Sequence, residues 1–257
     1  MKVKSPSEAD ILIQKLPSDM GIHRNPRKGT LKAPKTLLKD FSFKNKVMID
    51  EVFPDEFDLE ATHKRIEHNT RDLLNYGKPL LSIGGDHSVS FPVIKALKQE
   101  FPDLQLIWLD SHLDLKEKVK GHVSHDVVVR ELLENGFSED EIWFVGITKI
   151  DGDEEEFLED HDLRVFEQDE LQKFLGEFDS SEQSTYLSVD IDVLKQGLAP
   201  GTGYPDGELS LEEVERVIET VDPNHADLVE VAPPFDKENR TVQNARIVFE
   251  KLGKTLV

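Results

Sequence analysis

Two acidic residues and one histidine alternate in a short stretch, Asp110, His112 and Asp114, directly after the largely apolar segment 104–109. An apolar run of this kind predicts a buried strand. In an extended chain, residues at i, i+2 and i+4 project from one face, so the three side chains would converge. Buried charges are too costly to stay uncompensated, and a divalent metal is a natural partner for oxygen and nitrogen ligands. The stretch therefore predicts a metal site, with a solvated loop as the alternative.

Three further strand signals carry residues of the same chemical kind. His87 follows one apolar segment, Asp190 and Asp192 follow a second, and Glu230 lies within a third. In open parallel sheets, ligands bind outside the carboxyl ends of the strands, so we expect these side chains at one edge. Each of them also has an ordinary explanation as a turn residue, a helix cap or an ion-pair partner. Their number at one edge favours a shared site.

The combined set offers more ligands than one tetrahedral ion needs. Carboxylate-rich sites favour Mn²⁺ or Mg²⁺ over structural zinc, and the two histidines favour Mn²⁺. Two such ions about 3.5–4 Å apart activate water at neutral pH, which is hydrolytic chemistry. The candidate metal ligands are His87, Asp110, His112, Asp114, Asp190 and Asp192.

The elements that must position these residues alternate along the chain. Strands are predicted near residues 11–17, 47–50, 79–83, 104–109, 141–147, 185–189 and 227–231. Helices are predicted near residues 57–76, 91–101, 126–134 and 168–178, from a capping box at Ser210, and over 241–252, ending before Gly253. This alternation predicts a parallel sheet covered by helices on both faces, and therefore an α/β fold. Without a linker or repeat, residues 1–257 are expected to form one domain.

Two polar segments are predicted to lack regular structure. Residues 18–34 form a turn-rich loop of the kind that often borders an active site. Residues 151–156 are strongly acidic and are predicted to be a solvated charged run.

Composition narrows the class of protein. Of the 257 residues, 37% are hydrophobic and 32% are charged, and no apolar run approaches the roughly 20 residues of a membrane span. The first residues lead to no signal-peptide core, so a cytoplasmic location is expected. The absence of cysteine removes disulfides and thiolate ligands. A net charge of −21 argues against nucleic acid or an anionic membrane as partner. It suits a cationic substrate, a high-salt cytoplasm or simple solubility.

Several segments are together similar to the successive motifs of the arginase/agmatinase (ureohydrolase) family. They are GGDHS at 84–88, DSHLD at 110–114, SVDID at 188–192 and APGTG at 199–203. Segment 229–236 resembles the last motif of the family, in a form closer to agmatinases than to arginases. The resemblance runs from about residue 79 to the C-terminus and is loose over 17–34. It implies the arginase-like fold, a three-layer αβα sandwich with a mostly parallel central sheet.

The resemblance also implies two Mn²⁺ ions per chain. The ligands implied for one ion are His87, Asp110, Asp114 and Asp190. Those implied for the other are Asp110, His112, Asp190 and Asp192. Asp110 and Asp190 would bridge the ions, and Asp110 is counted among the catalytic residues. A hydroxide between the ions would attack the guanidinium carbon of agmatine or a related guanidino compound, releasing urea and an amine.

Further site residues follow from the same resemblance. Glu230 matches a carboxylate that pairs with the planar guanidinium of the substrate. His125 stands where the family has a histidine that relays protons to the leaving amine, and His122 in the same loop is its rival. Asp151 and Glu154 align loosely with acidic residues that contact the far end of the substrate.

This chain departs from the family pattern at positions that are not metal ligands. Lys195 and Gln196 stand in place of Asp-Pro, and an arginine expected near Thr148 is absent. Further differences are Ser111 for alanine, Tyr204 for threonine and Glu208 for glycine. The metal centre is therefore expected to be intact, while the substrate is left open.

The alternatives to agmatine are arginine, guanidinobutyrate-type acids and formimino compounds. A carboxylate-bearing substrate would need a cation, which Lys195 would supply if it pointed inward. A second amine would suit the acidic segment 151–156. Outside enzymes, the alternative is a degenerate family member that binds metal without turnover. The family also implies a homo-oligomer, a trimer or a hexamer.

Overall fold

The computed structural model describes residues 1–23, 25, 27–179 and 183–257. Within them, eight strands and eight α-helices alternate along the chain. The strands are β1 (Ile11–Leu16), β2 (Val47–Glu51), β3 (Leu80–Gly84), β4 (Gln105–Leu109), β5 (Ile142–Ile147), β6 (Arg164–Glu167), β7 (Thr185–Asp190) and β8 (His225–Val229). The helices are α1 (Ala33–Leu38), α2 (Leu59–Leu74), α3 (Ser90–Glu100), α4 (Val128–Glu134), α5 (Gly152–Glu159), α6 (Leu171–Glu177), α7 (Leu211–Val221) and α8 (Arg240–Thr255).

All strands belong to one parallel sheet, with the order β2-β1-β3-β8-β7-β4-β5-β6. The central strands β3, β4, β7 and β8 are buried along their whole length. A parallel strand that is covered on both faces must be apolar on both sides, which explains the nearly continuous apolar runs. The structure confirms the predicted α/β sandwich of three layers.

The alternation of side chains along each strand divides the core into two. In β4, Ile107 and Leu109 face the layer formed by α1, α6, α7 and α8. Their neighbours Leu106 and Trp108 face the layer that contains α2, α3 and α4. Each helical layer therefore buries one side of the sheet. Among the helices that the structure describes, none has the length and apolarity of a membrane span.

Several sequence-based predictions of local structure are wrong. The predicted loop 18–34 ends in α1, which begins at Ala33; Pro26 of that loop lies outside the described residues. The acidic segment 151–156 forms the start of α5. Strand β6 was not predicted, because it lies at the sheet edge and Phe166 is its one buried residue.

Helix α8 continues through Gly253 to Thr255, past its predicted end. Glycine in a helix interior costs about 1 kcal/mol relative to alanine. Leu252 and Leu256 are buried on either side of it, and this packing outweighs the local preference.

Candidate active site

The sheet order brings the candidate residues together. Strands β3, β8, β7 and β4 are consecutive in the middle of the sheet. Their carboxyl ends lead into His87, Glu230, Asp190 and the segment 110–114. Residues that are up to 143 positions apart in the chain therefore meet at one edge, as His87 and Glu230 do.

The first group of ligand atoms surrounds the imidazole of His87. Its Nδ1 atom lies 3.0 Å from Oδ2 of Asp110, 3.5 Å from Oδ2 of Asp114 and 3.4 Å from Oδ2 of Asp190. These side chains are almost fully shielded from solvent. Ligand atoms spaced in this way suit coordination of one shared cation.

The second group lies beside the first. Nδ1 of His112 lies 3.4 Å from Oδ1 of Asp110 and 3.2 Å from Oδ2 of Asp192. Asp110 therefore turns one carboxylate oxygen toward each group, which is the arrangement of a bridging ligand. The family resemblance implies a bridging role for Asp190 as well, and the structure places its Oδ2 atom beside His87.

The tautomer of His87 is determined by a buried chain of hydrogen bonds. Tyr186 and Ser188 donate their hydroxyl protons to Asp227, at 2.7 and 2.8 Å. Ser188 Oγ, 2.9 Å from His87 Nε2, therefore accepts the proton of that nitrogen. When His87 is neutral, the lone pair is therefore on Nδ1 and faces the carboxylates. Supporting hydrogen bonds of this kind are typical of metal-ligating histidines. The sequence reasoning missed Asp227, whose signal was an acidic residue in an apolar strand.

The electrostatics of the cluster show that it attracts cations. Burial opposes protonation of His87, yet Asp110 and Asp114 raise its pKa to about 9. Burial and the neighbouring carboxylates raise the pKa of Asp114 and of Asp190 well above the ordinary range. His87 Nδ1 and Asp110 Oδ2 are buried without a well-formed hydrogen bond among the described residues. The donor set thus fits two divalent ions, which would offset the mutual repulsion of the carboxylates.

The segment 110–114 differs from the extended conformation that was expected beyond the strand. Strand β4 ends at Leu109, and Asp114 has a left-handed backbone with φ of 52°. The His112 backbone N–H donates to Oδ1 of Asp110 at 2.8 Å, which tightens the bend. The side chains converge because the chain turns around the site, not because of strand alternation.

Glu230 stands just beyond β8 and not inside a strand as predicted. Its Oε1 atom accepts a hydrogen bond from the His87 backbone N–H at 2.8 Å. Burial, followed by the charges of Asp190 and Asp86, raises its pKa well above the usual range. The carboxylate would therefore gain from a cationic partner in the pocket.

A cavity of about 150 Å³ covers the cluster. It is lined by His87, His112, Asp114, Lys116, His125, Asp126, Lys149, Asp151, Glu154, Asp190, Asp192, Tyr204 and Glu230. His125 is 9% exposed, and its Nδ1 atom lies 3.1 Å from the carbonyl oxygen of Gly21. Burial lowers its pKa. Its rival His122 is exposed and lines a different cavity.

Asp151 and Glu154 line the far wall of the cavity. The prediction that residues 151–156 form a solvated charged run is therefore wrong for these two residues. Glu154 is 3% exposed, and its two carboxylate oxygens accept hydrogen bonds from the backbone N–H groups of Leu115 and Asp151. Asp151 is bound by the ammonium group of Lys116, and its Oδ1 atom lies 3.8 Å from Nζ of Lys149. The two lysines line the pocket and were missed by the sequence reasoning. Lys116 could have been found by its position two residues after Asp114.

Some departures from the family pattern lie at the site, and the others lie away from it. Ser111 donates a hydrogen bond of 2.7 Å to Oδ1 of Asp192 and so supports a candidate ligand. Tyr204 lines the cavity, with its ring edge-on to His112 and parallel to His125. None of the remaining four lines the cavity: Thr148 is half-buried, and Lys195, Gln196 and Glu208 are exposed.

Comparison with known proteins identifies the family of this chain. An agmatinase of Bacillus anthracis is 33% identical over 73% of this chain and 67% of its own length. A guanidinopropionase of Pseudomonas aeruginosa is 32% identical over 76% of this chain and 66% of its own length. A solved formiminoglutamase of Trypanosoma cruzi superposes with a TM-score of 0.85 at 23% identity, covering 98% of this chain and 96% of its own. The model of the Arginase family matches residues 9–253, and the chain therefore belongs to the arginase family.

Proposed function

We propose that this protein is a manganese-dependent amidinohydrolase that holds two metal ions and releases urea from a guanidino compound. As an arginase-family member with agmatinase and arginase relatives, it is a hydrolase acting on guanidino C–N bonds. The observation that carries the finer proposal is the placement of Asp110, which turns one oxygen toward each of two ligand groups beneath the pocket.

Manganese is supported by the donor chemistry of the centre. Four carboxylates and two imidazoles suit Mn²⁺ better than a structural zinc. The formiminoglutamase of T. cruzi was solved with Mn²⁺. A bound pair of such ions supplies Lewis-acid activation of water at neutral pH.

The residues of the chain provide the remaining functions. Glu230 faces the pocket from a buried position, and a bidentate contact with a planar guanidinium would satisfy its charge. His125 is held by the Gly21 carbonyl and is neutral at pH 7, because burial lowers its pKa. A neutral imidazole accepts a proton from the attacking water and passes it to the leaving amine.

The charges at the pocket mouth bear on the substrate. Agmatine is the substrate that the motif resemblance and the agmatinase relatives support. However, the second amine of agmatine would face the ammonium groups of Lys116 and Lys149, while Asp151 is already paired with both. Each oxygen of Glu154 already accepts a hydrogen bond from a backbone N–H group. We therefore propose a guanidino acid, whose carboxylate these lysines would bind, with agmatine as the second candidate.

The test is product release by Mn²⁺-loaded protein from a panel of substrates. Urea is measured with agmatine, arginine, guanidinobutyrate and guanidinopropionate, and formamide with formiminoglutamate. We expect kcat/KM to be higher for the guanidino acids, guanidinobutyrate and guanidinopropionate, than for agmatine. Lys116→Gln should raise KM for the best acid at least about tenfold, since it removes a charge-assisted contact.

Lys195→Gln is the matched control, because that lysine is exposed and lies outside the pocket. A preference for agmatine that Lys116→Gln leaves unchanged would refute the guanidino-acid assignment. No product from any substrate of the panel, with two manganese ions bound, would contradict the proposal that this protein is an amidinohydrolase.

A further inference from the structure

We infer that His23, His125 and Asp126 form an additional cation site of zinc type at the rim of the pocket. One nitrogen or carboxylate oxygen from each residue can be chosen so that all three atoms lie within 4.8 Å of one another. None of the three belongs to the ligand groups that share Asp110. His23 and Asp126 retain 30% and 20% side-chain exposure, so both side chains lie next to solvent.

The spacing of His23 and Asp126 fits a shared ion better than a direct contact. His23 Nε2 lies 3.8 Å from Oδ2 of Asp126, beyond the roughly 2.7–3.2 Å of a hydrogen bond. That nitrogen is shielded from solvent and has no hydrogen-bond partner among the described residues. Two ligands with zinc bonds of about 2.0–2.2 Å are separated by about 3.4 Å at a tetrahedral angle. A shift of a few tenths of an ångström would therefore complete the pair.

The neighbouring hydrogen bonds leave the required lone pairs free. The Ser124 hydroxyl donates to Oδ1 of Asp126 at 2.6 Å, so Oδ2 is available. His125 Nδ1 lies 3.1 Å from the Gly21 carbonyl oxygen, which only accepts hydrogen bonds. The proton of a neutral His125 is therefore on Nδ1, and Nε2 carries the lone pair.

The donor set differs in kind from the carboxylate-rich centre. Two imidazoles and one carboxylate with an open fourth position match zinc sites that keep one place for water. Imidazole-rich sites also favour zinc over manganese. A zinc ion here would occupy the nitrogen of His125 that transfers protons in the proposed function. The expected consequence is inhibition by zinc without loss of manganese; this consequence rests on the proposed function, whereas the binding does not.

The experiment uses the Mn²⁺-loaded full chain titrated with zinc. Both metals are quantified per chain after gel filtration, and urea release is measured on the same samples. We expect one zinc to bind above the two manganese ions and activity to fall in parallel. His23→Ala and Asp126→Asn should each lose this zinc and raise the half-inhibiting zinc concentration at least about tenfold. His68→Ala, an exposed histidine on α2, should behave as wild type.

Two results would overturn the site. One is zinc uptake that removes manganese in equal amount. The other is an extra zinc that persists in both His23→Ala and Asp126→Asn. Because zinc binding is counted directly, a protein that releases no urea but binds this zinc would refute the proposed function and leave the site standing.

Discussion

Glu230 has a backbone conformation that residues other than glycine rarely adopt, with φ of 61°. A left-handed conformation costs about 1–2 kcal/mol and persists where the surroundings determine it. Here the Glu230 N–H donates to the Gly85 carbonyl at 2.9 Å, and its carboxylate accepts from the His87 N–H at 2.8 Å. The two contacts join the ends of β3 and β8 and aim the side chain at the pocket. Asp114 has the same unusual backbone conformation. Two candidate functional residues of this site therefore have strained backbones.

Glu230→Gln separates anchoring of the substrate from binding of metal. The amide oxygen of glutamine still accepts from the His87 N–H, so fold and manganese content should be unchanged. Urea release should fall at least about 100-fold, because a neutral amide cannot pair with a guanidinium. The measurement is kcat/KM together with manganese per chain.

Glu208→Gln serves as the control for this prediction, since Glu208 is exposed and lies outside the cavity. Loss of manganese in Glu230→Gln would make Glu230 a ligand and not a substrate anchor. Full activity would remove it from the mechanism.

Asp190→Asn tests the metal centre at a carboxylate that Asp192 and Asp110 repel. The asparagine oxygen can still accept from the Asp192 N–H, which Asp190 Oδ1 does at 2.7 Å. The variant nevertheless removes one negative charge beside His87, so manganese affinity should fall at least about tenfold and activity should be lost. Manganese per chain after dialysis is the measurement. Wild-type manganese content would contradict the assignment of Asp190 as a ligand.

At the scale of elements, the sequence predicts the buried strands well, because parallel central strands are apolar on both faces. Strand β4 ends at Leu109 as predicted. Elements with little buried surface were missed, such as β6, in which Phe166 alone is buried. Local rules also failed where tertiary packing prevails, as at Gly253 in α8.

The same distinction holds for the site. The side chains of the candidate metal centre could be predicted because each follows a strand and all strands are parallel. The pairing of Asp151 with Lys116 and Lys149 could not be predicted, because it depends on where the loop after β5 lies. Long-range contacts of this kind leave no periodicity in the sequence.

Gly85 shows how closely the loops after β1 and β3 approach each other. A Cβ atom on Gly85 would lie 1.6 Å from the carbonyl oxygen of Ser18. Gly85→Ala should therefore lower the free energy of unfolding by about 3 kcal/mol or more, since backbone must move. The midpoint of urea denaturation of the metal-free protein measures this change.

Gly176→Ala is the matched control, because it lies in α6 and a Cβ there meets no atom within 4 Å. It should be neutral or stabilise by up to about 1 kcal/mol, as alanine favours a helix. Equal midpoints for the two variants would contradict the close approach at Gly85.

At the scale of the whole molecule, negative charge makes the stability of the fold depend on metal binding. The chain carries a net charge of −21, and its field attracts cations from a distance. Within the fold, six ligand-type side chains with four carboxylates meet at one sheet edge. Their repulsion opposes folding unless a proton or a metal ion compensates it. The free energy of unfolding of the metal-free protein should therefore depend on pH in a way that the free energy of unfolding of the metal-loaded protein does not.

His87 gives the sign of this dependence. Its pKa is raised from 6.5 to about 9 in the folded protein, so the folded state binds more protons than the unfolded state between these values. The stability that protonation contributes is complete below pH 6.5 and is lost as pH rises toward 9. The loss amounts to about 3 kcal/mol. Manganese replaces the proton as the cation, so the rise in Tm on adding Mn²⁺ to chelator-treated protein should be several degrees larger at pH 8.5 than at pH 6.5. Calorimetry at both pH values checks this. If the rise in Tm caused by Mn²⁺ were the same at both pH values, the proton and the metal would not compete for His87.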